Sequence, residues 1–264
     1  MSRSARQPPA RIAVMLVNLE SDRATLETLN LLTGESAAEI HGLFVEDIEL
    51  LSLAGLPLAR EICRLTHVQR DVQAPELERQ FRIQARAAEQ ALTALASRRG
   101  LQCSFRTVRG EPATLLRETL EVMDLMLLGA ARQALSLAEY RPFASRGGDL
   151  GRPVVVIFDG SETAQRALQV AVQLARAGAH ALTVLLVAND PAALDALRTQ
   201  ATDRMGRLPA VFREAVEPDT GELIRLVQSS RARSLVIGRN EDLLTPDSIE
   251  RLRNLPGCPV VLVS

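Results

Sequence analysis

Asp159, Gly160 and Ser161 follow the apolar run Val154–Phe158 and precede a long helical pattern, in the stretch "RPVVVIFDGSETAQRALQVAVQLARA" (152–177). A carboxylate, a glycine and a hydroxyl at the end of a buried strand could hold a small ligand's hydroxyl or phosphate groups. The same three residues could equally start a helix. Asp or Ser caps it, Gly eases the turn, and Glu162 adds first-turn negative charge. A second polar turn, Gly238-Arg239, closes another apolar run further on.

Other chemistry is sparse. His41, His67 and His180 are isolated, as are Cys63, Cys103 and Cys258, with no CxxC or HxxxH spacing. Metal binding, a Cys-His pair and a Ser-His-Asp set are therefore not expected, and the chain is expected not to be an enzyme. Glu46, Asp47 and Glu49 cluster at one strand end and read as a solvated strand end or helix start. All 31 basic residues are Arg, which removes Schiff-base and phosphate-loop lysines but leaves guanidinium–phosphate pairing available.

Formal net charge is −1 and 47% of residues are hydrophobic, a mix expected of a packed globular protein. Neutrality, with one Tyr and no Trp, argues against nucleic-acid binding. Arg98, Arg99, Arg106 and Arg109, and Arg231, Arg233 and Arg239, read as solvated faces. No run approaches the ~20 apolar residues of a membrane helix, so no membrane role and a cytoplasmic location are expected. Residues 1–10 are basic and expected to be disordered.

Strand patterns at Ile12–Val17, Ile40–Val45, Cys103–Val108, Leu125–Leu128, Val154–Phe158, Leu182–Val187, Val211–Val216, Leu235–Ile237 and Val260–Val263 alternate with helical ones. Their uninterrupted apolar runs suit strands covered on both faces, which predicts an α/β fold with parallel sheets. Helix faces are marked by Ala164, Ala167, Leu168, Ala171, Leu174 and Ala175, and by Phe81, Ala85, Ala88, Leu92 and Leu95.

The pattern occurs twice. "RGEPATLLRETLEVMDLMLLGAAR" (109–132) resembles "AVEPDTGELIRLVQSSRARSLVIGRN" (215–240), each with an EPxT turn, a helix, a strand and a lone Gly129 or Gly238. This predicts a first domain over 11–148, with an insert near 46–74, and a second over 149–264. The first copy lacks a fifth strand of its own. The insert carries Leu50, Leu51, Leu53, Leu56, Leu58, Ile62 and Leu65 and would form a helical or hairpin-like flap. It reads either as an interface or as cover for its own sheet.

"VVVIFDGSETAQRALQVAVQLA", the "VIG" ending the next-to-last strand, "CPVVLVS" and "HGLFVEDIELLSLAGLPLAREI" resemble a tandem universal stress protein. The resemblance implies two doubly wound, Rossmann-like domains, each of strand order 3-2-1-4-5. It also implies ATP or AMP binding in many members, and a stress-response role through binding.

Asp159 matches the family aspartate that contacts adenosine. The family's phosphate loop, G-x2-G-x9-G-[ST], starts at Gly238 but then meets Glu241 and a Pro246-Asp247 pair. Glu241, Asp242 and Asp247 put negative charge where a triphosphate would lie, and Pro246 removes an amide donor. Asn18 replaces the aspartate in the first copy. The expectation is thus a regulatory protein acting through protein or small-ligand binding, without an obligatory cofactor. AMP or ATP at the second domain, through Asp159, Gly160, Ser161, Gly238 and Arg239, is the alternative. A homodimer through Val260–Val263 and an unidentified protein partner complete the expectation.

Overall fold

The computed structural model describes residues 10–16, 23–34, 38–56, 60–62, 69–71, 74–129, 151–240, 245–253, 255 and 258–264. Residues 1–9 and the expected domain boundary near 148 lie outside them. Ala10, expected in the disordered start, already belongs to the first strand, paired with Ala38.

The first copy contributes β1 (Ala10–Leu16), β2 (Ala38–Asp47), β5 (Gln102–Gly110) and β6 (Leu125–Leu128). The second contributes β7 (Val154–Phe158), β8 (Leu182–Ala188), β9 (Ala210–Val216), β10 (Ser234–Gly238) and β11 (Val260–Val263). They form one nine-stranded sheet in the order β5-β2-β1-β6-β11-β10-β7-β8-β9. Each copy thus has the expected doubly wound order, 3-2-1-4 in the first and 3-2-1-4-5 in the second.

The first copy has no fifth strand among the described residues, and β11 occupies that place. It runs parallel to β10 and antiparallel to β6, with Val261 opposite both Val236 and Leu127. The expectation of a free edge at Val260–Val263 is corrected here. A strand whose two edges are both bonded within the chain has no ladder left for a second copy.

Two helical layers cover the sheet. One holds α1 (Arg23–Leu32), α3 (Ala74–Arg99), α5 (Glu162–Ala177) and α6 (Pro191–Met205), and the other α4 (Pro112–Leu120), α7 (Thr220–Ser229) and α8 (Pro246–Arg253). Successive strand residues alternate between the layers, Val261 and Val263 facing the first and Val260 and Leu262 the second. Both faces are apolar, which is why these strands read as continuous runs. The periodic residues of α3 and α5 named from sequence are buried in that first layer.

The insert folds as α2 (Ile48–Ala54) followed by a short hairpin of β3 (Arg60–Ile62) and β4 (Gln69–Asp71). Asp47 accepts the amides of Glu49 and Leu50 and so caps α2, while Glu46 takes Arg109 at 3.0 Å. The acidic cluster is thus a strand end and helix start. Leu51 packs on the core and Ala54 is buried, whereas Ile48, Leu50, Leu53 and Leu56 remain 45–56% exposed. The insert thus covers part of its own sheet and leaves an exposed apolar face.

Cys258 is buried between α8 and β11, and desolvation pushes its thiol up to about 12. Burial also raises the half-buried Cys103 thiol. Since the thiolate is the reactive form, Cys258 should stay unlabelled by a thiol reagent at pH 8 while the urea-unfolded chain labels fully. Mass spectrometry of the labelled peptides checks this.

Candidate functional site

At the start of α5, the Asp159 carboxylate accepts the Ser161 amide at 2.9 Å, and the Ser161 hydroxyl accepts the Ala164 amide at 3.2 Å. Gly160 lies at φ +83°, and a Cβ there would sit 2.6 Å from Leu197 Cδ2. The turn needs glycine both for its left-handed backbone and for the close approach of α6. Gln165 donates to the Gly160 carbonyl at 2.9 Å, tightening the same turn. Two of the three polar residues are thus occupied by the helix start.

Gly238 has a packing role as well. A Cβ on it would lie 2.5 Å from the Thr163 carbonyl carbon and 2.6 Å from the Ala164 nitrogen. The end of β10 is pressed against the first-turn backbone of α5. The Thr163 hydroxyl donates to the Arg239 carbonyl at 3.2 Å, and the Arg239 amide donates to Val263 at 2.7 Å. At the crevice between β7 and β10, where strand order reverses, the end of β10 therefore packs directly on the first turn of α5.

The open space lies to one side of it. A cleft of about 610 Å³ sits beyond the C-terminal ends of β7 and β8, reaching the connections that follow β9 and β10. Asp159, Asn189, Asp190, Glu217 and Asn240 line it with polar groups, over an apolar wall that includes Val187 and Leu197. Of the five residues singled out from sequence, only Asp159 lines this cleft. Gly160, Ser161, Gly238 and Arg239 lie beside it.

Sequence reasoning missed Asp190, Glu217 and Asn240. Asp190 caps α6 by accepting the Ala193 amide at 2.9 Å. Glu217, the first residue of the second EPxT turn, is held at φ +46°, a left-handed conformation uncommon for glutamate. The available signal was positional: polar residues just after the second, third and fourth strands of the copy.

Among the described residues the lining includes three carboxylates and no arginine or histidine, in a chain with 31 basic residues. At an effective dielectric of 20, a phosphate charge ~6 Å from one carboxylate meets about 3 kcal/mol of repulsion before screening. A helix N-terminus returns only ~0.3–1 kcal/mol. Among the described residues no group of three or more His, Cys, Asp or Glu could hold a metal ion.

Further round the expected phosphate loop, Thr245 caps α8, accepting the Ser248 amide at 3.3 Å, and Asp247 sits exposed in its first turn. Glu241 and Asp242 lie outside the described residues. So do Asn18 and the segment after Gly129 in the first copy.

No protein-family model matches this chain, and no curated protein does. Among solved structures, a universal stress protein from Archaeoglobus fulgidus DSM 4304 superposes with a TM-score of 0.53 at 13% identity, over 96% of each chain. The chain has the universal stress protein fold. The cytoplasmic domain of a prokaryotic cation chloride cotransporter also aligns, at TM-score 0.49 and 13% identity, over 96% of this chain and 95% of that one. A universal stress protein from Archaeoglobus fulgidus in complex with dAMP covers 44% of this chain and 99% of its own, at TM-score 0.35 and 16% identity.

In this rendering of the universal stress fold, the cleft belongs to the second copy and the helix-start residues shape its wall. No helix among the described residues is long and apolar enough to cross a membrane.

Proposed function

We propose that the chain is a tandem universal stress-type protein that regulates by binding rather than by turnover. Its second-copy cleft takes a small ligand without a polyphosphate tail. The observation that carries this reading is the cleft's lining. Asp159, Asp190 and Glu217 give the cleft three carboxylates that disfavour an anionic tail within it, and Gly238 packs on α5. The apolar wall and the amides of Asn189 and Asn240 suit a flat, neutral, hydrogen-bonding group such as a nucleoside. The protein acts in the cytoplasm through a protein partner. Self-association, which the sequence also suggested, would need a surface other than β11.

The alternative is an AMP or ATP sensor, favoured by the exposed Arg239 next to Asn240 on the cleft rim. Titration calorimetry separates the two. Adenosine should bind saturably and lose that binding in Asp159→Ala, with AMP weaker and ATP, with or without Mg²⁺, showing no saturation up to ~1 mM. ATP binding tighter than adenosine would establish the sensor and overturn the proposal.

A further inference from the structure

The boundary between tandem domains is ordinarily crossed by few contacts, so each can unfold by itself. Here the boundary is a strand pair at the middle of the sheet. All four residues of β11 are buried, and they ladder to β10 of their own copy and to β6 of the other.

Hydrogen bonds continue on both sides of that strand. The Arg239 amide, beside the cleft, donates to Val263 at 2.7 Å. The next residue, Ser264, donates its amide to Asp124 at 3.1 Å, and its hydroxyl lies 3.0 and 2.8 Å from the carbonyl oxygens of Leu120 and Met123. Asp124 in turn donates its amide to the Arg11 carbonyl at 3.0 Å and accepts the Arg11 amide on its carboxylate at 2.7 Å. An unbroken series of bonds thus runs from the rim of the cleft to the start of β1.

The helical layer makes the same crossing. Gln173 of α5 donates to the Leu32 carbonyl of α1 at 3.2 Å, and Arg233 pairs with Glu27 at 3.1 Å.

We propose that β11, by serving as the fifth strand of both copies, makes them a single cooperative unit, so that a change in stability at the second-copy cleft is felt in the first copy. Neither copy closes its sheet without that strand, and opening either one exposes the apolar residues of β11 that the other buries. Occupancy of the cleft therefore tightens β1 and β2 of the other copy, with no contact between ligand and first copy. The fold holds a route by which binding in one copy regulates a surface on the other.

The test needs no ligand, so its outcome is separate from that of the calorimetry. Native-state hydrogen exchange is followed at β1 and β2 and at β8 in the full chain. In the wild type, the slowest amides of β1 and β8 should report the same opening equilibrium.

Leu186→Ala, at a fully buried position of β8, should lower protection in β1 and β2 about 30-fold or more, as much as in β8 itself. Leu92→Ala, in α3 of the first copy, should do the reverse. If each truncation loosens only its own copy, the coupling is absent. Should a variant fail to fold, slowest wild-type amides of the two copies differing more than about tenfold in opening equilibrium overturn the proposal equally.

Discussion

Val261→Pro should abolish folded protein, not merely change its oligomeric state. Val261 is 0% exposed and lies within a strand bonded on both edges, opposite Val236 and Leu127. Proline removes the amide donor, fixes φ near −65°, and cannot sit in the middle of a sheet. The lost ladder hydrogen bond and the fixed φ act against a net stability of only ~5–15 kcal/mol for an ordinary domain. Both ladders pass through this residue, so the loss falls on both copies at once. Soluble yield and the far-ultraviolet circular dichroism melt report it. A soluble variant with wild-type melting, whether monomeric or not, would show that β11 is dispensable to the fold.

Read from sequence alone, with a homodimer through Val260–Val263, the same substitution would leave the chain monomeric or insoluble; the two-sided ladder narrows this to loss of the fold. "CPVVLVS" reads unmistakably as a buried strand, and the first copy visibly lacks one, but periodicity does not say which neighbours a strand takes. A four-residue apolar run is compatible with an edge awaiting a partner chain or with a position between two halves. Only the register of Val260–Val263 against Leu125–Leu128 settles it. What pattern did specify was local. Leu125–Leu128, Val154–Phe158 and Val260–Val263 fall where the runs of apolar residues placed them. The insert was expected as a helical or hairpin-like flap, but the strands β3 and β4 could not be placed, because strands of three residues leave no periodicity to read.

The site was legible in part for a similar reason. Asp159-Gly160-Ser161 is recognisable as a polar turn after a buried strand, and the helix-start bonds of Asp159 and Ser161 are those the residue types invite. The partner loop was harder. Gly238 looks like the opening of a phosphate cradle because glycine permits close approach, but sequence does not say what approaches. Here it is the backbone of α5. Asp190 and Glu217 reach the cleft from two other connections, and only the strand order 3-2-1-4-5 brings those turns together.

Gly238→Ala turns that distinction into a measurement. The added methyl would lie 2.5 Å from the Thr163 carbonyl carbon, 2.6 Å from the Ala164 nitrogen and 2.8 Å from the Thr163 oxygen. All three are backbone atoms of the first turn of α5, which is held by Ser161, by Gln165 and by the Thr163–Arg239 hydrogen bond. None can swing aside as a side chain could, so either β10 or α5 must shift. Such overpacking costs about 1–3 kcal/mol and occasionally more. At ~2–4 °C per kcal/mol for a chain of this size, the melting temperature should fall by about 2–12 °C. Arg239→Ala, one residue on and exposed, should leave it within about 1–2 °C, since surface changes of this kind cost within ±0.5 kcal/mol. A glycine whose purpose was to bare its amide to a phosphate would behave otherwise. Its alanine variant would keep the wild-type melt and lose only ligand binding, and that pattern would reopen the crevice between β7 and β10 as a nucleotide site.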